Sequence, residues 1–218
     1  MPELLTSIAT IIMMDLLLSG DNAAVIGMAI CHLPANLRKK AAICGTGVAI
    51  ILRLIFTVFA TVLLTIPYFQ AIGGTILLFI TWRLLTNNSS TENEQKMSSE
   101  TNFLKAIFII AIADLSMAFD NVLAIAGAAH GQPLLVVFGL LLSIPILIYC
   151  STWLANIMSR YPVILWLGGA LLLHTALNMI LTDTALALNF FLPFSEKILS
   201  LGAAIILFAY GFYQNILV

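Results

Sequence analysis

The stretch DLLLSGDNAAV, Asp15 to Val25, places two carboxylates inside the first strongly apolar segment of the chain. A near copy, DLSMAFDNVLA, runs from Asp114 to Ala124, at an offset of 114 − 15 = 99 residues. Asp15, Asp21, Asn22 and Ile26 therefore align with Asp114, Asp120, Asn121 and Ile125. Four of the chain's ten acidic residues lie in these two apolar stretches, which is the observation that most constrains fold and function.

The surrounding chain explains why such acids are conspicuous. Of 218 residues 61% are hydrophobic and only 9% are charged, and the mean hydropathy of +1.09 lies in the membrane-protein range. A helical span needs about 20 mostly apolar residues. Seven segments meet or approach that length, at 4–30, 41–66, 70–86, 103–128, 133–156, 162–182 and 196–217. Little chain is left over, so the composition predicts one membrane domain over 1–218 and leaves no room for a soluble catalytic domain or a nucleic-acid-binding module. The first segment lacks a basic leader and a small-residue cleavage site, and it reads as a span. Cys31, Cys44 and Cys150 show no paired spacing and read as packing thiols.

The basic residues orient the chain. With the N-terminus outside, Arg38, Lys39, Lys40, Arg83, Lys96, Lys105 and Arg160 all face the cytoplasm, Lys197 faces outward, and Arg53 falls within a span. That bias predicts a multi-pass protein of the plasma (inner) membrane with its C-terminus in the cytoplasm.

The polar run TNNSSTENEQKMSSET, Thr86 to Thr101, separates two similar halves. Besides the Asp motifs, IGGTILL (Ile72–Leu78) aligns with LGGALLL (Leu167–Leu173) at an offset of 95. The expected plan is repeat one at 4–86, a cytoplasmic linker at 87–101, repeat two at 102–182 and an appended helix at 196–217. Three spans per half is an odd number, so the second half enters the membrane from the opposite side. The fold expected is thus all-α and integral to the membrane, with seven transmembrane helices in a 3+3 inverted-topology repeat plus one appended helix. Repeats of this kind are typical of secondary transporters, whose sites lie near the midplane where the halves meet.

On a regular helix Asp15, Ser19 and Asn22 share one face, while Asp21 lies about 120° away. Asp114 and Asn121 again share a face and Asp120 is displaced. Either the aspartates of each motif serve different neighbours, or the helix opens near Ser19-Gly20, freeing carbonyls as ligands. Phe119 stands in place of Gly20 in the second copy, and Ser116 does not match Ser19.

Each ionised carboxylate in mid-membrane costs about 2.5–3.5 kcal/mol on insertion scales. A single Arg53 does not neutralise four. Asp15, Asp21, Asn22, Asp114, Asp120 and Asn121 form an all-oxygen donor set that suits Mg²⁺, Mn²⁺ or Ca²⁺, not the softer ions. Arg53 is expected to pair with Asp15 or Asp21 when no ion is bound. Ser19, Ser116 and His174 are candidate auxiliary or relay groups, with hydrogen-bonded packing the plainer role for His174. Asp183 stands near the outer end of its span, either lining an exit or serving as an interface residue. Gly73-Gly74 and Gly168-Gly169 are expected to let helices approach closely. A proton relay through the same acids, or a scaffold using them as polar glue between helices, are the competing readings. The two asparagines weigh against the relay, because an amide ligates but does not titrate. No nucleophile–base pair, nucleotide motif or prosthetic-group signature suggests an enzyme.

DLLLSGDNAAVIGMA, the following HLP and RKKA, RLIF, IGG and ADLSMAFDNVLAIAGAA together resemble the TerC family of membrane proteins, in its small YjbE-like branch. The resemblance covers nearly the whole chain apart from the linker and the last span. It implies seven helices, kinship with LysE-type exporters, and export of a divalent metal, chiefly Mn²⁺, from the cytoplasm. By motif it assigns the same six Asp and Asn positions as metal-site residues. Partners expected are the lipid bilayer, the metal ion and protons. Coupling ion and oligomeric state are not encoded in the motifs.

Overall fold

The computed structural model describes residues 20–63, 66–86, 99–128, 133–183, 185–186 and 196–217, with backbone alone at 57–63, 99–100, 118–128, 133–143, 196 and 215–217. Among these residues all regular structure is helical. The helices are α1 (Gly20–Ile30), α2 (Ala35–Leu63), α3 (Phe69–Thr86), α4 (Ser99–Ala128), α5 (Pro133–Arg160), α6 (Pro162–Thr182) and α7 (Glu196–Leu217). Each overlaps one of the seven apolar segments, with 4–19 of the first segment outside the described residues, and α4 takes in the last residues of the polar run.

Local chemistry sets the boundaries. Proline opens α5 and α6, where a missing N–H costs nothing. The Pro34 carbonyl starts α2 by accepting from Leu37 N at 2.8 Å and Arg38 N at 3.2 Å. Tyr68, with φ of 62°, turns the chain sharply into α3.

Three of the helical stretches, Phe69–Thr86, Pro162–Thr182 and Lys197–Gln214, are long and apolar enough to cross a membrane. Large apolar side chains cover the exterior: Trp82 is 67% exposed, Tyr149 74% and Ile206 71%. Water would penalise so much uncovered apolar surface, whereas lipid does not. The interior is built from Val25, Met28, Ile30, Leu77, Ile110, Leu165 and Leu172 among others. Of the three cysteines only Cys31 is a packing thiol; Cys44 and Cys150 lie on the exposed exterior, where the apolar solvent tolerates them as readily as the core does.

Helix pairing does not follow chain order. α2 packs chiefly on α4, α1 on α5, and α3 on α6, with α7 laid against α6. Exchanging α1 with α4, α2 with α5 and α3 with α6 turns the α2–α4 contact into α5–α1 and the α3–α4 contact into α6–α1. The α3–α6, α1–α4 and α2–α5 contacts map onto themselves.

The glycine pairs carry the same correspondence to atomic scale. A Cβ on Gly74 would lie 2.8 Å from Ile180 Cγ1, and one on Gly169 would lie 2.8 Å from Leu85 Cδ1. Gly74 and Gly169 differ by 95 residues, as do Leu85 and Ile180. The close approach expected of these glycines is therefore present, and it joins α3 to α6.

Two polar clamps hold the ends. Arg38 donates from Nε to Leu33 O (2.9 Å) and from Nη2 to Cys31 O (2.7 Å), satisfying carbonyls at the end of α1. Its Nη1 donates to Asn156 Oδ1 (2.7 Å) and Ser159 Oγ (3.1 Å) on α5. At the other clamp Asp183, just past α6, accepts from Ala71 N in the first turn of α3 at 2.8 Å and from Ala185 N at 2.8 Å.

Candidate cation site

The site forms where α1, α2 and α4 converge. Arg53 projects from α2, and its Nη2 lies 2.5 Å from Asp114 Oδ1 on α4. The two side chains are 6% and 11% exposed, so this is a buried ion pair. Asp21 lies on α1, which packs on both α2 and α4. Its Oδ1 accepts from Asn22 N at 2.9 Å.

Several buried side-chain atoms on α1 and α4 have no hydrogen-bond partner. They are Asp114 Oδ2 and both the oxygen and nitrogen of the Asn22 side chain, which is 2% exposed. Leaving a buried polar group unsatisfied costs about 1–3 kcal/mol. Native structures seldom carry such groups without a ligand or functional reason. The arrangement is suited to receive a cation on hard oxygen donors.

Arg53 pairs with Asp114 of the second motif, a partner the sequence reading did not name. The packing of α2 on α4 brings the guanidinium to that carboxylate across the boundary between the halves. Asp15, one of the partners expected for Arg53, lies outside the described residues.

The other expected residues fall into three groups. Asp15 and Ser19 lie outside the described residues. Asp120 and Asn121 are within the unbroken helix α4, which runs through the second motif without the opening considered there; their side chains lie outside the described set. Phe119 offers no glycine at which the helix would part. Ser116 is buried, but its hydroxyl donates to Ile112 O at 2.9 Å and its backbone faces Gly73 of α3, about 200° round the helix from Asp114. His174 stands on α6, outside the α1–α2–α4 group, with its Nδ1 buried and without a partner. Asp183 is an anchor, since both its oxygens accept backbone N–H groups. Among the described residues no three His, Cys, Asp or Glu side chains come together as a metal cluster. Two buried groups with unpartnered oxygens were not singled out from the sequence, Asn178 on α6 and Thr46 on α2. Only the spacing of Thr46 from Arg53, seven residues along one helix face, pointed to it.

Comparison with known proteins agrees with this architecture. The family described as Integral membrane protein TerC family matches residues 1–216. The chain is 40% identical over 186 residues to the "Uncharacterized membrane protein YjbE" of Bacillus subtilis, covering 85% of this chain and 84% of that one. YkoY of the same organism is 26% identical over 184 residues, covering 73% of this chain and 57% of YkoY. The inner membrane protein YgdQ of Escherichia coli K12 is 18% identical over 195 residues, covering 83% of this chain. No solved structure matches. The family match spans nearly the whole length and includes both Asp motifs, so this chain belongs to the TerC family of integral membrane proteins.

Proposed function

We propose that the protein is a secondary transporter that exports a divalent cation, Mn²⁺ foremost, from the cytoplasm across the inner membrane. The observation that carries this reading is the buried Arg53–Asp114 pair between the halves, with unpartnered oxygens on Asp114 and on Asn22 of the adjoining helix α1. Asp21 and Asn22 come from the first motif and Asp114 from the second, so an ion there would be held by both halves at once. Asp15, Asp120 and Asn121 complete the donor set by motif, with Ser19 and His174 as further candidates.

The interchange of helix contacts between halves and the paired glycine approaches support an inverted-topology repeat with α7 appended. The placement of basic residues supports an N-terminus outside and a C-terminus in the cytoplasm. Rocking one half against the other would then expose the ion to each side in turn. Arg53 serves as the tethered counter-ion of Asp114 when the site carries no metal. Protons are the proposed coupling ion, because metal binding requires deprotonated carboxylates and the two ligands compete.

Cells with and without the protein, loaded with Mn²⁺, give the test. Lower cell-associated manganese in the producing strain is expected. Equal levels, with the protein verified in the membrane, would refute export and favour a scaffold that uses the aspartates between helices. A pH-driven proton flux in liposomes that ignores Mn²⁺ would favour a proton pathway.

A further inference from the structure

We propose that Thr46 is an additional ligand for the transported cation, meeting it on the cytoplasmic side of Asp114. The proposal rests on the divalent-cation reading above. Thr46 is 2% exposed, and its Oγ1 is buried with no hydrogen-bond partner. A hydroxyl in a helix ordinarily donates to the carbonyl one turn back. Thr75, Thr81, Ser116, Thr152 and Thr182 all do so, at 2.6 to 2.9 Å. Thr46 forgoes that bond although it is fully enclosed.

Its position gives the orphaned oxygen a use. Ala42, Thr46, Ala49 and Arg53 recur at i, i+4, i+7 and i+11 and share one buried face of α2. That helix packs chiefly on α4. Gly45 is pressed against Ile110, where an added Cβ would sit 2.7 Å from Cδ1, and further along Arg53 reaches Asp114. Residue numbers rise together on the two helices, so Thr46 stands about one turn, roughly 5 Å, before Asp114 on the side of Arg38, Lys39 and Lys40. Arg53 comes to the same carboxylate from beyond it. Thr46 and Arg53 thus bracket Asp114 along the helix axis.

Of the four buried oxygens without partners among the described residues, three lie on mutually packed helices: Asn22 Oδ1 on α1, Thr46 Oγ1 on α2 and Asp114 Oδ2 on α4, each helix touching the other two, with Asn178 Oδ1 on α6. A neutral hydroxyl adds a hard oxygen donor without deepening the charge of the site. Between the basic end of α2 and Arg53, Thr46 is the polar residue on this face, with only alanine methyls beside it. An ion coming from the cytoplasm would exchange a water for this hydroxyl before reaching the carboxylates. The plainer role, a small residue allowing close helix approach, needs the shape of threonine but not its hydroxyl.

Everted membrane vesicles, which turn the cytoplasmic face outward, separate the two roles. Mn²⁺ uptake is measured over a concentration series for the wild type, Thr46→Val and Thr46→Ser. Val keeps the shape and removes the hydroxyl, and is expected to raise the half-saturating Mn²⁺ concentration about tenfold. The maximal rate should stay within about twofold, and Ser should restore the wild-type value. If Thr46→Val fails to reach the membrane, Thr46→Ala replaces it with the same expected shift. Wild-type half-saturation in the variant lacking the hydroxyl, or an equal shift in Thr46→Ser, overturns the proposal and leaves the cation reading standing. A wild type that moves no Mn²⁺ overturns both.

Discussion

Arg53 and Asp114, 61 residues apart in the chain, form a buried ion pair that crosses from the first half of the molecule to the second. Removing one member strands the other charge in an apolar interior, which typically costs about 3–5 kcal/mol. Arg53→Ala is therefore expected to lower the thermal stability of the detergent-purified protein markedly. The double variant Arg53→Ala/Asp114→Ala should recover most of that loss, because neither charge remains. Melting curves of the wild type, both single variants and the double variant test this, and strictly additive losses would sink it.

Asp21, Asp114 and Asp120 are predicted to be essential for export. Replacement of any one by Asn keeps the shape of the side chain and removes a charged donor from the site. A fall of about 100-fold or more in Mn²⁺ flux is expected, with the protein still inserted in the membrane. Flux at the wild-type rate from any of the three would return that aspartate to a structural role.

The two close glycine contacts predict unequal costs. A methyl on Gly74 would lie 2.6 Å from the backbone oxygen of Ala176, which cannot swing away. A methyl on Gly169 would meet the Leu85 side chain, which can change rotamer. Gly74→Ala is thus expected to destabilise by about 1–3 kcal/mol and Gly169→Ala by distinctly less. Thermal unfolding of the two variants in the same detergent decides the order.

Asp183 should matter for stability more than for ion movement. Asp183→Ala removes the acceptor of Ala71 N and Ala185 N, a loss of about 1–2 kcal/mol by analogy with helix caps. Asp183→Asn retains an oxygen and should fall between the two. Transport assayed well below the melting temperature is expected to persist in both variants. An abolished flux with unchanged melting would instead make Asp183 part of the ion's path.

Much of the architecture is legible in the sequence because the bilayer imposes a length and a polarity on each segment. Apolar runs of the required length mark all seven helices, and two copies of D-x5-D-N mark the site. Pairing between helices is not legible in the same way. Arg53 follows α1 in the chain, which directs attention to Asp15 and Asp21, whereas its pairing with Asp114 follows from the packing of α2 on α4. Thr46, and the capping role of Asp183, escaped for a related reason. A single threonine in an apolar run has the spacing of any packing residue, and its importance lies in a hydrogen bond that is not made. The capping role of Asp183 depends on a backbone N–H 112 residues earlier, which no local pattern announces.

The cross-pairing of helices also bears on how the chain is made. Ribosomal synthesis delivers α1, α2 and α3 first, but the principal neighbours of these helices are α5, α4 and α6. The early helices must therefore wait in the bilayer, with Arg53 lacking Asp114, until the later ones emerge. Assembly of the described helices is thus a docking of the later ones onto the earlier ones.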